Sequence, residues 1–268
     1  MESATSEFLD DAGWDRRVQH SPGDALTRAQ LLLDDASPSE TERARLLRVV
    51  ARAQFELGRL DVASDTMRAA VRVARTIDDD DVRHAVLMTS AVVLAEAGDV
   101  GAALANLALL EPECDGPVLA RVRLQQAYVL HHAGRLPEAL VALDHSDRLF
   151  AVGGTEEDRF RVHLNRGLVL LQHGDLDAAE TDIRAAADLA HRLGMTAAEG
   201  QCHANAGVLY GRGRRIVESL RAFEHAEALL AEVGRPYRVV NGLEIDRAEV
   251  QMHSGLVLDA VDSARRAL

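Results

Sequence analysis

Apolar and small residues fall along this chain at steps of three and four, as on the buried face of a helix, and the pattern restarts at regular intervals. Residues 162–180 show the unit. A helix carrying the small residue Gly167 runs to a turn at Gly174, and a second helix carrying Ala179 follows. Such a pair cannot bury its apolar faces alone, so the stretch takes its meaning from recurrence. It recurs six times, with the turn residue at Gly58, Gly98, Gly134, Gly174, Arg214 and Gly255, at intervals of 40, 36, 40, 40 and 41 residues.

Counted from each turn, position +2 is aliphatic (Leu60, Val100, Leu136, Leu176, Ile216, Val257) and position +5 is small (Ala63, Ala103, Ala139, Ala179, Ser219, Ala260). Positions +9 and +12, as in Ile183 and Ala186, complete one helical stripe and predict a single buried face for the second helix of each pair. Position −7 in the first helix is again small (Ala51, Ala91, Ala127, Gly167, Gly207, Ala248), so that it faces the small +5 residue and the helices approach closely. Positions −12 and −5, as in Val162 and Val169, put apolar residues on two sides of the first helix, as expected if it is sandwiched between second helices.

The pattern predicts an all-α protein, a right-handed α-α superhelix of about six helix pairs plus an N-terminal helix, with residues 21–268 as one repeat domain. Residues 1–20 are weakly patterned around Phe8, Trp14 and Val18 and read as a short helix or a partly mobile arm. Ser21-Pro22 opens a helix to about Asp34, because proline suits the first helical position. Ser37 and Glu40 stand at capping-box spacing for the next helix.

Composition narrows the picture. Aromatic residues make up only 3% of 268, so the core is packed with Ala, Leu and Val, a mixture that suits closely packed helices. Every basic side chain other than histidine is an arginine, and the formal net charge of −13 argues against a nucleic-acid partner, whose phosphates need cationic contacts. Cys114 and Cys202 are too few for a disulfide framework or a zinc site. The first eleven residues are acidic with no apolar run, and no apolar stretch approaches a membrane span, so the expectation is a cytoplasmic protein without membrane contact.

The small residue, the seven-residue step to a Gly-x-aliphatic turn and the Ala, large apolar, Ala series resemble the tetratricopeptide repeat, with aliphatic residues in the usual aromatic slots and a period longer than the usual ~34 residues. Leu164-Asn165-Arg166-Gly167, His203-Ala204-Asn205-Ala206-Gly207 and Ile245-Asp246-Arg247-Ala248-Glu249, followed by Gly255-Leu256, are similar to the repeat region that precedes the caspase-like CHAT peptidase domain of large bacterial proteins. The resemblance covers residues 22 to 268. It implies a non-catalytic sensor or scaffold for a protein or peptide, whose partners include a downstream peptidase domain, because nothing here matches that domain's His and Cys. The last apolar slot is followed by only one residue, Leu268, with no polar capping helix, which suggests a longer protein or a C-terminal face covered by a partner or a second copy.

Offsets −13, −9, −6 and −2 of each first helix fall on one line between the apolar faces, and this line is expected to face the groove of the superhelix. It nominates Arg121, Gln125, Tyr128, His132, Arg161, Asn165, Leu168, Gln172, Asn205, Arg212 and Asp246. The amides at −9 suit the backbone of an extended peptide, and Arg121 with Arg161 suits a carboxylate or phosphate. The plainer reading is that Asn165 and Asn205 bond a neighbouring helix or water, and that Tyr128 is a partly buried structural residue. Arg43, Arg45, Arg48 and Arg52 read as a patch for an acidic ligand or as a solvated face paired with Glu40, Glu42 and Glu56. Asp78 to Asp81 lacks the alternating ligands of a calcium loop and reads as helix capping. His163 and His203 share a slot in successive repeats, yet two ligands make a weak metal site, so no metal, cofactor or catalytic residue is expected. A regulatory sensor module of a transcription regulator or peptide receptor, and a self-assembly module, remain as alternatives.

Overall fold

The computed structural model describes residues 11–35, 37–233 and 237–267. Their helices are α1 (Asp11–His20), α2 (Pro22–Asp35), α3 (Glu40–Glu56), α4 (Leu60–Ala74), α5 (Asp80–Glu96), α6 (Val100–Ala108), α7 (Gly116–His132), α8 (Leu136–Gly153), α9 (Glu156–His173), α10 (Leu176–Arg192), α11 (Thr196–Arg212), α12 (Ile216–Glu232), α13 (Tyr237–His253) and α14 (Val257–Arg266), with no strand among the described residues. They fall into two compact units. One runs to Asp115 and includes Tyr128–Gly134; the other comprises Gly116–Ala127 and the chain from Arg135 on. Phe8, an expected anchor, lies outside the described residues.

Local chemistry explains the helix limits. Thr155 caps α9 by accepting from the Asp158 backbone, and the Asp158 carboxylate answers to the Thr155 N–H, while Glu156, Glu157 and Asp158 meet the positive end of the helix dipole. Gly174 ends the same helix at φ +94°, a left-handed conformation that suits a residue without a Cβ. The fifth turn breaks the glycine rule, and Arg214 takes φ +58° there. At α3 the cap is Ser39 with Glu42, two residues later than the spacing of Ser37 and Glu40 predicts. Ser37 sits at φ +42°, outside the extended conformation that an N-cap needs. Asp79 caps α5 by accepting from the Val82 N–H, so the acidic run opens a helix as expected.

In the first unit α1 and α2 pack on each other and on α3, making a further helix pair from the N-terminal segment. Trp14 and Val18 of α1 share a core with Ala25, Leu26, Ala29, Leu46, Val49 and Val50. The arginines of α3 differ from both sequence readings. Buried Arg48 bridges Asp11 at 2.7 Å and Asp15 at 3.0 Å, Arg45 reaches Asp11 and Arg52 reaches Asp15, because α1 lies against this face of α3 and brings its own carboxylates. A 3-10 turn at Glu111–Glu113 follows the short α6 and accounts for the 36-residue interval, while Leu110, the +12 residue, stays fully buried.

In the second unit α9 packs with α10, α11 with α12 and α13 with α14, and each pair meets the next through α10 with α11 and α12 with α13. Where the −7 residue is glycine, it receives the large residue at +9, and in one of these pairs it also meets the +5 residue. A Cβ on Gly167 would come within 2.8 Å of Ile183, and one on Gly207 within 2.7 Å of the Phe223 ring. The +5 residue Ser219 donates its hydroxyl to the Gly207 carbonyl at 2.6 Å. Ile183, Phe223 and Leu230 are buried in these seams, and a fully buried side chain of this size contributes about 1.5–3 kcal/mol.

Candidate functional site

Helix spacing distributes the eleven nominated residues over both units. Tyr128 and His132, at the end of α7, belong to the first, and Arg121, Gln125, Arg161, Asn165, Leu168, Gln172, Asn205, Arg212 and Asp246 to the second. Tyr128 is half-buried, and its hydroxyl donates to the Glu96 carboxylate, with the His132 ring 4.3 Å away and its Nε2 3.6 Å from the same carboxylate. The structural reading of Tyr128 accounts for these contacts.

Several polar groups of the stripe are already engaged. Arg121 forks onto Asp158 with Nε and Nη2 at 3.2 and 3.3 Å. Burial pushes the Asp158 carboxyl up, but hydrogen bonds from Arg121 and Thr155 outweigh it and hold the group below the ordinary range. Arg161 pairs with Glu157 one turn earlier at 2.6 Å, and the Asn165 amide donates to the Arg161 carbonyl at 2.8 Å. Arg121, Arg161 and Asn165 thus have partners within the chain, Asn165 on its own helix. The Asn205 Nδ2 is buried without a hydrogen-bond partner. Gln125 and Leu168 are half-buried, and Gln172 is exposed.

Arg212 and Asp246 do come together. They line a cavity of about 600 Å³ between α11 and α13, with Val208, Gly211, Arg214, Ile216, Glu249, Val250, His253 and Ser254. A Cβ on Gly211 would meet Val250 at 2.5 Å, so this glycine lets α13 close against α11 below the opening. Arg212 is held by its donation to the Leu171 carbonyl at 3.0 Å, and the His253 ring donates from Nδ1 to the Glu249 carbonyl at 2.8 Å. Burial, with the nearby Glu249 carboxylate, raises the Asp246 carboxyl to about 6 against the opposing effect of Arg212. At neutral pH this wall therefore carries a partly desolvated carboxylate whose support from Arg212 falls short of the cost of burial, an imbalance that a further cation relieves. Glu249 and His253 were absent from the expected set, although they occupy offsets −6 and −2 of the same stripe.

The histidines also depart from expectation. His163 donates to Asp182 at 2.7 Å, whereas the His203 ring lies tilted against that of His225 on α12 with centroids 4.3 Å apart, so the two equivalent histidines take different partners. Burial and the neighbouring His225 lower the His203 pKa. Glu199, His203 and His225 present donor atoms within 4.8 Å of one another. Cys202 lies in the core near Phe160 and Ala186, and burial pushes its thiol up to about 12, so it is an inert core residue.

No helix among the described residues is long and apolar enough to cross a membrane. No protein-family model matches the chain, and no curated protein matches it. Similar folds among solved structures include a Rap protein complexed with competence and sporulation factor, with a TM-score of 0.70 at 14% identity over 96% of this chain and 84% of that one. The apo form of RapI gives 0.71 at 11% identity over 97% and 96%. A tetratricopeptide repeat protein from Parabacteroides merdae gives 0.56 at 15% identity over 95% and 88%. At these identities the likeness is one of fold, and the chain has an all-α, tetratricopeptide-like helical-repeat fold.

Proposed function

We propose that the chain is a non-catalytic recognition module that holds a protein or peptide along its first-helix face, and that the cavity between α11 and α13 takes a basic side chain or amino terminus of that ligand. The observation that carries this reading is the Asp246 carboxylate, half-buried in a cavity of about 600 Å³ with Glu249 beside it. A cation entering there gains a charge-assisted hydrogen bond and relieves the repulsion between the two carboxylates. The likeness to a Rap protein complexed with competence and sporulation factor supports a ligand-responsive version of the module. The motifs around Asn165, Asn205 and Asp246 support a finer reading, in which a cytoplasmic, single repeat domain over residues 21–268 positions or restrains a CHAT-type peptidase domain. A reading frame that continues past Leu268 into a His/Cys peptidase domain favours this version, and a DNA-binding segment favours the sensor of a transcription regulator.

The test is selection of peptides from a random displayed library on the purified chain, followed by calorimetry. Selected peptides rich in Arg or Lys are expected to lose affinity about tenfold or more with Asp246→Asn, consistent with about 1.5–3 kcal/mol for a hydrogen bond to a charged group. Their affinity is also expected to fall as the pH drops through 6, where Asp246 takes up its proton. The double variants Asn165→Ala/Asn205→Ala and Arg121→Ala/Arg161→Ala are expected to matter less, given the intramolecular partners of Arg121, Arg161 and Asn165. Peptides that bind the wild type and Asp246→Asn equally would sink the proposal.

A further inference from the structure

Glu199 and His203 stand four residues apart on α11, the spacing that places two side chains on one helical face. The partner helix α12 brings His225 opposite them, at offset +11 from its turn, outside the buried slots of the repeat. The His203 and His225 rings lie with centroids 4.3 Å apart and planes inclined at 50°, and the donor atoms of all three residues are within 4.8 Å of one another. Glu199 is in turn held by His191 at the end of α10, whose Nδ1 stands 3.1 Å from the carboxylate.

The helices around the cluster are closely packed. Gly200 and Gly207, seven residues apart on α11, are both sites of close approach to α12, where an added Cβ would meet Leu230 at 3.0 Å and Phe223 at 2.7 Å. The two contacts pin α11 to α12 on either side of His203, so the donors project from packed helices rather than from a loop. Cys202, the neighbour in sequence, is buried in the core and stays outside the donor set. His203 is half-buried and His225 exposed, so the cluster opens to solvent on one side.

We propose that Glu199, His203 and His225 form a binding site for a divalent transition metal of borderline softness, zinc(II) foremost. Two imidazoles and one carboxylate are the donor set that such ions take, with an open fourth position, whereas calcium and magnesium require oxygen ligands throughout. Bonds of about 2.0–2.2 Å place donors of a tetrahedral ion about 3.3 Å apart, within reach of side-chain rotations from the present separations. His191 is the outer partner that fixes the carboxylate. A bound ion ties α11 to α12 in the helix pair that also carries Arg212. This site is independent of the peptide reading above, because none of its three donors lines the cavity between α11 and α13.

The experiment uses the tag-free full chain, stripped with EDTA and freed of chelator, and titrated with zinc(II) against a chromophoric competitor and with cobalt(II) in the visible range. One equivalent is expected to bind, with an intense tetrahedral cobalt spectrum and a melting temperature that rises with zinc concentration. His203→Gln and His225→Gln are each expected to weaken zinc binding by at least the about 10–100-fold that loss of an outer-shell partner causes, and His163→Gln to leave it unchanged. Since His225 is exposed, His225→Gln is expected to melt at the wild-type temperature without metal, so it carries the test even where His203→Gln disturbs packing. Zinc affinity unaltered in His225→Gln, or a cobalt spectrum that shows only octahedral aqua ion, overturns the proposal.

Discussion

Two carboxylates of the second unit show how differently the same repeat can treat a charge. Asp182, in the seam between α9 and α10, is buried, but Arg166 forks onto it at 2.7 and 2.8 Å and His163 donates from the other side. Burial pushes its carboxyl up, and these hydrogen bonds more than reverse the effect. Asp246, facing the cavity between α11 and α13, meets burial and Glu249 with only the offsetting influence of Arg212, and its carboxyl rises to about 6. The turns follow suit, with Gly174 relaxed at φ +94° after α9 and Arg214 held at +58° beside the cavity. One carboxylate is answered by two close partners, and the other is left with its burial only partly offset. Strained backbone and unrelieved charge tend to gather where a protein acts on a ligand.

The contrast is most sharply broken by Arg166→Ala. Stripping the guanidinium from a nearly buried carboxylate, with only His163 left beside it, is expected to cost about 3 kcal/mol in urea unfolding, and Arg166→Leu/Asp182→Leu to recover most of that loss, because the burden is the under-compensated charge rather than the missing pair. Next comes Gly167→Leu, expected to destabilise by about 2 kcal/mol through overpacking against Ile183; a melting temperature equal to the wild type would show the seam to be looser than described. Arg214→Gly is expected to stabilise by about 1 kcal/mol, since an L-residue pays roughly that for a left-handed conformation, with Gly174→Arg losing a similar amount. The smallest effect is a pH signature. Asp246, raised in the folded state, contributes stability that is full below the unfolded value of about 3.9 and is lost as the pH rises through about 6. Asp182, lowered in the folded state, contributes above about 3.9 and fails as the pH falls through its folded value. Asp246→Asn is therefore expected to flatten the decline of melting temperature between pH 4 and pH 6, while the acid limb below pH 4 persists.

Spacing in the sequence reveals the scaffold because its slots answer to backbone demands. Glycine recurs at the turns where φ is positive, and a small residue recurs at −7 where Ile183 or Phe223 presses on the neighbouring helix. The site is less legible because it depends on which side chain reaches which across helices. Nothing local in Arg121 announces Asp158, 37 residues on, and nothing in Arg48 announces Asp11 and Asp15 of a weakly patterned segment. Arg212 and Asp246 were legible from the stripe, and extending it to Glu249 and His253 would have completed the cavity wall. Glu199 and His203 carried a visible four-residue signal, but His225 sits on the partner helix at offset +11, a position filled by Ala69, Leu109, His145, Ala185 and Arg266 in the other repeats, so no repeat slot points to it.

The lone tryptophan of the chain, Trp14, is fully buried in the cluster that α1 makes with α2 and α3, where Arg45, Arg48 and Arg52 clasp Asp11 and Asp15. Its emission is thus a reporter of the first unit alone. A melt followed at Trp14 reads the packing of α1, α2 and α3, whereas one followed by far-ultraviolet circular dichroism reads every helix of the chain.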